Sequence, residues 1–142
     1  MPSLYAALGA SASALDAQRT RLEVAVSNLA NAESTHGPDG QPYRRRDVVL
    51  ESQPVETFDA ALGNAGAVGV KVAGIVEDQA AFKRRYEPGH PDADADGYVA
   101  VPNVEVPEEM VDMLGAARAY QANLAAMSLI RDTINRALDL GK

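Results

Sequence analysis

The sequence predicts a mainly α protein, with two long terminal helices forming a coiled-coil pair and a small β-rich insert between them. Three observations lead to this fold class. Apolar residues recur with heptad spacing at both ends of the chain, valines alternate with other residues in the middle, and only 5% of the 142 residues are aromatic. The pattern divides the chain into an N-terminal helix (1–34), an insert with extended loops (35–103) and a C-terminal helix (104–142).

The C-terminal helix is predicted over residues 108–140. Its a/d positions follow alternating steps of three and four, with one interruption at Arg131. The seam consists of Met110, Met113, Ala117, Tyr120, Leu124, Met127, Ile134 and Leu138. A period of 3.5 rather than 3.6 residues predicts a left-handed supercoil with other helices. Pro107 and the acidic residues after it favour a helix start, and Gly141 favours a helix end.

The N-terminal helix is predicted over residues 3–33, with Ser3 as its N-cap. Its seam has leucine on one side and mostly small or polar residues on the other. The leucines are Leu8, Leu15, Leu22 and Leu29, and the alternate positions are Leu4, Ser11, Gln18 and Ala25. Periodicity alone does not distinguish this helix pair from two amphipathic helices of an ordinary bundle.

The insert is predicted to be thin and partly exposed, because it contains few large apolar residues. Alternating and β-branched residues predict strands at residues 47–51, 67–77, 81–86 and 98–101. A helical turn is predicted near residues 58–62.

A basic run, Tyr43-Arg44-Arg45-Arg46, precedes the first predicted strand. Such a run would suit an anionic partner, but charged side chains also protect strand edges from aggregation. We favour a solvated strand edge, or a contact with an acidic neighbouring subunit, over a dedicated anion site.

Composition argues against several functional classes. The net charge of −7 disfavours a nucleic-acid binder, and the absence of cysteine excludes disulfides, thiolate metal sites and cysteine nucleophiles. No apolar run approaches the roughly 20 residues of a membrane span, and no cleavable signal peptide is visible. His36 and His90 lie beside Gly and Pro in loops, and no phosphate-binding loop or nucleophile elbow occurs. We therefore expect no enzyme and no cofactor.

One acidic loop has the composition of a cation site. Asp92, Asp94, Asp96 and Gly97 match the first half of an EF-hand loop. The bidentate Glu required at position 12 of such a loop is replaced by Asn103, and the Pro-Gly-His-Pro run before Asp92 does not suit an incoming helix. We expect no dedicated metal site, and we keep a small calcium-binding module that uses the three aspartates as the alternative function.

Several stretches carry a family resemblance. The sequence Ser27-Asn28-Leu29-Ala30-Asn31-Ala32 resembles the Asn-Asn-Ile/Leu-Ala-Asn-Ala motif that ends the N-terminal helix of flagellar rod and hook proteins. The run Pro-Gly-His-Pro-Asp-Ala-Asp-Ala-Asp-Gly-Tyr at residues 88–98 and the Arg-Ala-Tyr-Gln-Ala-Asn run at residues 118–123 are similar to the proximal-rod members. The chain departs from the family in a longer turn after Ala32 and in Val101 before Pro102.

The resemblance implies a structural subunit of the bacterial flagellar basal-body rod, the drive shaft that transmits torque across the periplasm. It implies export by the flagellar type III apparatus without signal cleavage, and assembly with other rod proteins and with copies of the same chain. The expected assembly interface is Leu8, Leu15, Leu22, Asn28, Leu29, Asn31, Met110, Met113, Tyr120, Asn123, Leu124, Met127, Ile134 and Leu138. A soluble helical-bundle adaptor or enzyme subunit is a third hypothesis, which a compact monomer with sharp thermal unfolding would favour.

Overall fold

The computed structural model describes residues 4–37, 39–55 and 67–140. Within them, two helices flank a middle part made of strands, which confirms the predicted fold class. The elements are α1 (Leu4–Ala30), β1 (Arg46–Pro54), β2 (Val68–Glu77), β3 (Lys83–Tyr86), β4 (Tyr98–Val101) and α2 (Val106–Leu140). The predicted N-cap Ser3, the turn at 58–62 and the stop at Gly141 lie outside the described residues.

The two helices pack against each other in antiparallel orientation. The C-terminal end of α1 meets the N-terminal end of α2, because Asn28 hydrogen-bonds to Glu109. At 1.5 Å per residue, α1 is about 40 Å long and α2 about 52 Å long. Neither described helix has the apolar length needed to cross a membrane.

The larger buried and half-buried residues of α2 form one stripe with heptad spacing, in steps of four and three. They are Glu109, Met113, Ala116, Tyr120, Asn123, Met127, Ile130 and Ile134, and three further half-buried alanines, Ala117, Ala119 and Ala126, lie beside the stripe. Four residues of the predicted seam therefore lie on this stripe and Ala117 lies beside it, while Met110, Leu124 and Leu138 also lie beside it and are at least half exposed. Arg131 does not interrupt the stripe, because Ile130 takes that place. α2 has two adjacent apolar stripes. The predicted seam combined residues from both of them, whereas only one stripe packs against α1.

Small side chains dominate the buried side of α1. Its buried residues are Ala6, Ala17, Val24, Ala25 and Asn28. The four predicted leucines are half-buried, and Leu4 is exposed. Because alanine has little bulk, a side of this kind allows another helix backbone to approach closely.

The strands form two separate antiparallel pairs, β1 with β2 and β3 with β4. All four predicted strands are present, and the last one has the predicted bounds. The first pair lies against α1: a Cβ on Gly69 would be 2.6 Å from Ser13 Oγ, which also accepts a hydrogen bond from the Val70 N–H at 3.1 Å. Most of its other residues are exposed, which agrees with the expected thin insert.

The second strand pair and the segment after it contain a group of buried apolar residues. Val99 and Val101 of β4 are buried together with the following Pro102 and Val104. On the opposite face of this pair, the rings of Tyr86 and Tyr98 meet edge to face with centroids 5.2 Å apart.

Gly97 shapes the loop between β3 and β4. Its φ of +83° is in the left-handed region, where a Cβ is strained. A Cβ there would also lie 3.0 Å from the Tyr86 ring and 3.1 Å from Pro88 Cβ.

We therefore expect Gly97→Ala to destabilise the protein by about 1–2 kcal/mol, because it combines left-handed strain with a crowded site. Gly89→Ala is the matched control, since a Cβ at Gly89 meets nothing within 4 Å and its φ is not positive. Urea unfolding followed by circular dichroism measures both variants. Equal effects of the two substitutions would contradict this account of the loop.

Candidate assembly interface and its polar junction

A buried carboxylate lies where the two helices meet. Glu109 is the largest fully buried side chain of the described residues, at 1% exposure, and Asn28 is equally buried. Glu109 Oε2 accepts a hydrogen bond from Asn28 Nδ2 at 2.9 Å, and Oε1 accepts one from Arg45 Nε at 2.5 Å. This junction therefore joins α1, the residue before β1 and the first turn of α2.

The Asn28 side chain uses both of its functional ends. Its Nδ2 also donates to the Arg46 carbonyl at 2.8 Å, and its Oδ1 accepts from the Arg46 N–H at 3.0 Å and from the Tyr43 hydroxyl at 2.9 Å. Few side chains offer two donors and an acceptor in one plane, so Asn suits this position. Asn31, in contrast, donates its side-chain N–H to the carbonyl of Ser27 at 2.8 Å and closes the end of α1.

Arg45 is the cation of the junction. Besides Glu109, it faces Asp47 and Asp112, each at 3.6 Å. Burial lowers the pKa of Arg45, but the hydrogen bond to Glu109 and the neighbouring carboxylates more than offset this, so the pKa is raised. Its backbone N–H donates to Asn103 Oδ1 at 2.9 Å, which links the junction to the segment after β4.

The basic run is therefore used mainly inside the chain. Arg44 stacks over the Phe82 ring at 4.4 Å, and Arg46 faces Glu77 at 3.6 Å. The expectation of a solvated strand edge is wrong for Arg45, whose side chain is only 20% exposed. Its closest acidic neighbour in the structure is Glu109 of the same chain.

The acidic loop is held by its own carboxylates. Asp94 Oδ1 accepts the N–H groups of Asp96 and Tyr98, both at 2.9 Å, and Oδ2 accepts from Arg84 at 2.5 Å. The Tyr98 N–H is the main cause that lowers the pKa of Asp94 below its ordinary value, and Arg84 and the Asp96 N–H lower it further. Asp92 accepts instead from Thr35 Oγ1 at 2.7 Å.

These carboxylates point to different partners, and nothing in this geometry favours the calcium alternative. Within residues 4–37, 39–55 and 67–140, no cluster of three His, Cys, Asp or Glu residues is arranged to hold a metal ion.

The predicted interface residues fall into three classes of exposure. Asn28 is buried, and Met110, Leu124 and Leu138 are at least half exposed. The others are half-buried: Leu8, Leu15, Leu22, Leu29, Asn31, Met113, Tyr120, Asn123, Met127 and Ile134. Glu109 and Arg45 were not predicted from the sequence as buried residues. The predicted seam begins at Met110, and an acidic residue in the first turn of a helix is also favoured by the helix dipole.

Comparisons with known proteins match both ends of the chain. A family model described as "Flagella basal body rod protein" matches residues 8–38, and one described as "Flagellar basal body rod FlgEFG protein C-terminal" matches residues 95–140. The flagellar basal-body rod protein FlgC of Salmonella typhimurium LT2 is 52% identical over 130 residues, covering 92% of each chain. The chain belongs to the flagellar basal-body rod protein family.

More distant FlgC proteins match along the whole length of this rod-family chain. The protein of Bacillus subtilis 168 is 44% identical over 149 residues, covering 97% of this chain and 98% of its own. That of Aquifex aeolicus VF5 is 42% identical over 142 residues, covering 100% of both. Asn28 lies within the first family match and Glu109 within the second, so the polar junction connects the two matched segments.

We expect Glu109→Gln to destabilise the protein by about 3 kcal/mol, because it leaves Arg45 without its closest charge in a buried place. Glu23→Gln is the matched control: Glu23 pairs with Arg19 at 2.9 Å, but both side chains are well exposed, so we expect a much smaller loss than for Glu109→Gln. Equilibrium unfolding in urea compares them. If the two losses are similar, the junction does not have the stabilising role assigned to it.

The lowered pKa of Asp94 predicts a pH dependence. Its stabilising effect is complete above the unfolded value of about 3.9 and disappears as the pH falls through the lower folded pKa. We therefore expect Asp94→Asn to lower the urea midpoint relative to the unsubstituted chain at pH 7, and this difference to shrink as the pH approaches 3. Asp96→Asn serves as the control, since it leaves the Asp94 carboxylate in place. A difference for Asp94→Asn that is constant with pH would refute the role of its charge.

Proposed function

We propose that this chain is a structural subunit of the bacterial flagellar basal-body rod, with an assembly role rather than a catalytic one. The proposal rests on an exposed apolar stripe of α2 that the packing of the two terminal helices leaves uncovered. They pack on each other through one stripe, yet the adjacent stripe of α2 is apolar and exposed, with Met110 at 50% and Leu124 at 53% exposure. Exposed apolar stripes of this length are typical of surfaces that other proteins cover.

The proposed partners are other rod proteins and further copies of this chain. The two helical segments, 1–34 and 104–142, would supply the packed wall, and the insert at 35–103 would face outward. The proximal-rod position, the span across the periplasm and export through the type III apparatus without signal cleavage rest on the resemblance to the rod family. The FlgC relatives support the rod assignment through their names.

The polar junction supports this proposal because it fixes the helix pair without using the exposed stripe. Asn28, Arg45 and Glu109 satisfy each other inside the chain. The apolar side chains proposed for assembly, such as Met110 and Leu124, take no part in the junction and remain about half exposed. A neighbouring subunit can cover them without rearranging the junction.

We expect Leu124→Asp to abolish rod assembly and swimming while the chain is still made and folded. The position is half exposed in the free chain, so the aspartate is hydrated there, but burying an unpaired charge at a subunit contact costs several kcal/mol. Swimming in soft agar and electron microscopy of isolated basal bodies measure the effect.

Arg131→Lys is the control for Leu124→Asp. Arg131 is an exposed charge one heptad further along the same predicted seam, and the substitution keeps that charge. We expect it to swim nearly normally. Normal swimming of the Leu124→Asp strain would show that this stripe is not covered in the rod.

A further inference from the structure

Within the described residues, the three methionines all lie on α2 but differ in their surroundings. Met113 and Met127 belong to the stripe that packs against α1, and both are half-buried. Met110 lies beside this stripe and is 50% exposed. The preceding residue, Glu109, is buried and takes its hydrogen bonds from residues that precede α2. A chemical change at the Met110 sulfur therefore leaves both the packed stripe and the polar junction in place.

Met110 also differs in its chemistry from the other exposed apolar side chains of α2. On the described part of this helix, the other large apolar side chains that are exposed are all valine or leucine, Leu124 among them. Peroxide does not oxidise these hydrocarbon groups, whereas it oxidises a thioether to the sulfoxide. The chain has no cysteine that would react first. An oxidant that meets the folded chain therefore acts on this surface at Met110.

The reaction changes the polarity of the side chain. Hydrogen peroxide transfers one oxygen atom to the sulfur, which is oxidised by two electrons to the sulfoxide, and the peroxide is reduced to water. The flexible apolar thioether thereby becomes a polar group that accepts hydrogen bonds. In the free chain, water reaches the half-exposed Met110 and hydrates the new oxygen. We therefore expect the folded chain to tolerate the sulfoxide.

We propose that Met110 is a reversible oxidation site that controls whether the free chain enters the rod. As a thioether, Met110 suits coverage by the apolar surface of a neighbouring subunit. As a sulfoxide, it carries a hydrated oxygen, and burial of a polar group without a hydrogen-bond partner weakens the association. This inference rests on the proposed function, because it requires that a neighbouring subunit covers the stripe containing Met110 and Leu124.

The modification is reversible by a general class of enzyme. A methionine sulfoxide reductase returns the sulfoxide to the thioether; two thiols supply the two electrons, and water and a disulfide are the products. The free chain leaves the sulfur open to such an enzyme, while coverage in the rod would protect it from both oxidant and reductase. Control at Met110 therefore acts before assembly and not after it.

Limited oxidation of the purified full-length chain by hydrogen peroxide tests the site itself. Cleavage before aspartate separates Met110 from Met113 at Asp112, and mass spectrometry then measures the sulfoxide at each methionine. We expect Met110 to react at least about threefold faster than Met113 and Met127 in the folded chain, because its side chain is more exposed. In urea that unfolds the chain, the three rates become similar. Similar rates in the folded chain would overturn the proposal.

Two substitutions test the effect on assembly in cells. Met110→Gln puts an uncharged polar group at this position, as the sulfoxide does, and we expect at least about fivefold fewer complete basal bodies. Glu33→Gln introduces the same amide at an exposed position outside both helices and is the control, with normal numbers. Met110→Leu is apolar, of similar volume and resistant to oxidation. We expect sublethal peroxide to reduce the basal bodies of the unsubstituted strain and to leave those of the Met110→Leu strain at its own untreated level.

The outcomes separate this inference from the proposed function. If Met110→Gln assembles normally while Leu124→Asp does not, or if peroxide affects the unsubstituted and Met110→Leu strains equally, Met110 does not control assembly, without consequence for the rod function. If Met110→Gln and Leu124→Asp both assemble normally, the proposed coverage of this stripe is wrong as well. Circular dichroism of each purified variant checks that it is folded.

Discussion

The contact between Glu109 and its two partners determines how the rest of this chain is arranged. Asn28 comes from the end of α1, Arg45 from the approach to β1, and Glu109 from the first turn of α2. A carboxylate buried to this degree is tolerated only when hydrogen bonds and an opposite charge replace its water. The three segments must therefore meet in one relative position, and this fixes the antiparallel register of the helices. Polar groups at a packing stripe are known to specify register in this way.

The remaining packing forces are modest. Alanines supply most of the buried side of α1, and the buried apolar residues of β4 and the segment after it are Val99, Val101, Pro102 and Val104. With little apolar area buried by each contact, the hydrophobic contribution to the helix pairing is small per residue. Large apolar side chains are instead retained on the exposed stripes of α2. This distribution suits a subunit whose apolar surface is buried mainly by its neighbours.

The sequence predicted the elements well because their signals are local. Heptad spacing and alternating valines depend on residues a few positions apart, and both helices and all four strands were found from them. It did not predict the junction, because Glu109 lies 81 residues from Asn28 and 64 from Arg45. An acidic residue in a first helical turn is also explained by the helix dipole, so nothing nearby marked it as buried. Only part of the buried stripe of α2 was predicted from the sequence. Two adjacent stripes, one containing Met110 and the other Ala116, both have heptad spacing, and local spacing does not show which of them packs against α1.

The acidic loop shows how far composition can mislead. Three aspartates at alternate positions resemble a cation site, yet Asp94 caps two backbone N–H groups and Asp92 binds the hydroxyl of Thr35.

The central claim is that the fold is closed by its polar junction and leaves the Met110–Leu124 stripe of α2 for neighbouring subunits. A density map of the assembled basal body that resolves this chain tests it most directly. We expect an intact Asn28–Glu109 contact, with Met110 and Leu124 covered by another subunit. A rod in which these two side chains face solvent, or in which Asn28 and Glu109 are apart, would contradict it.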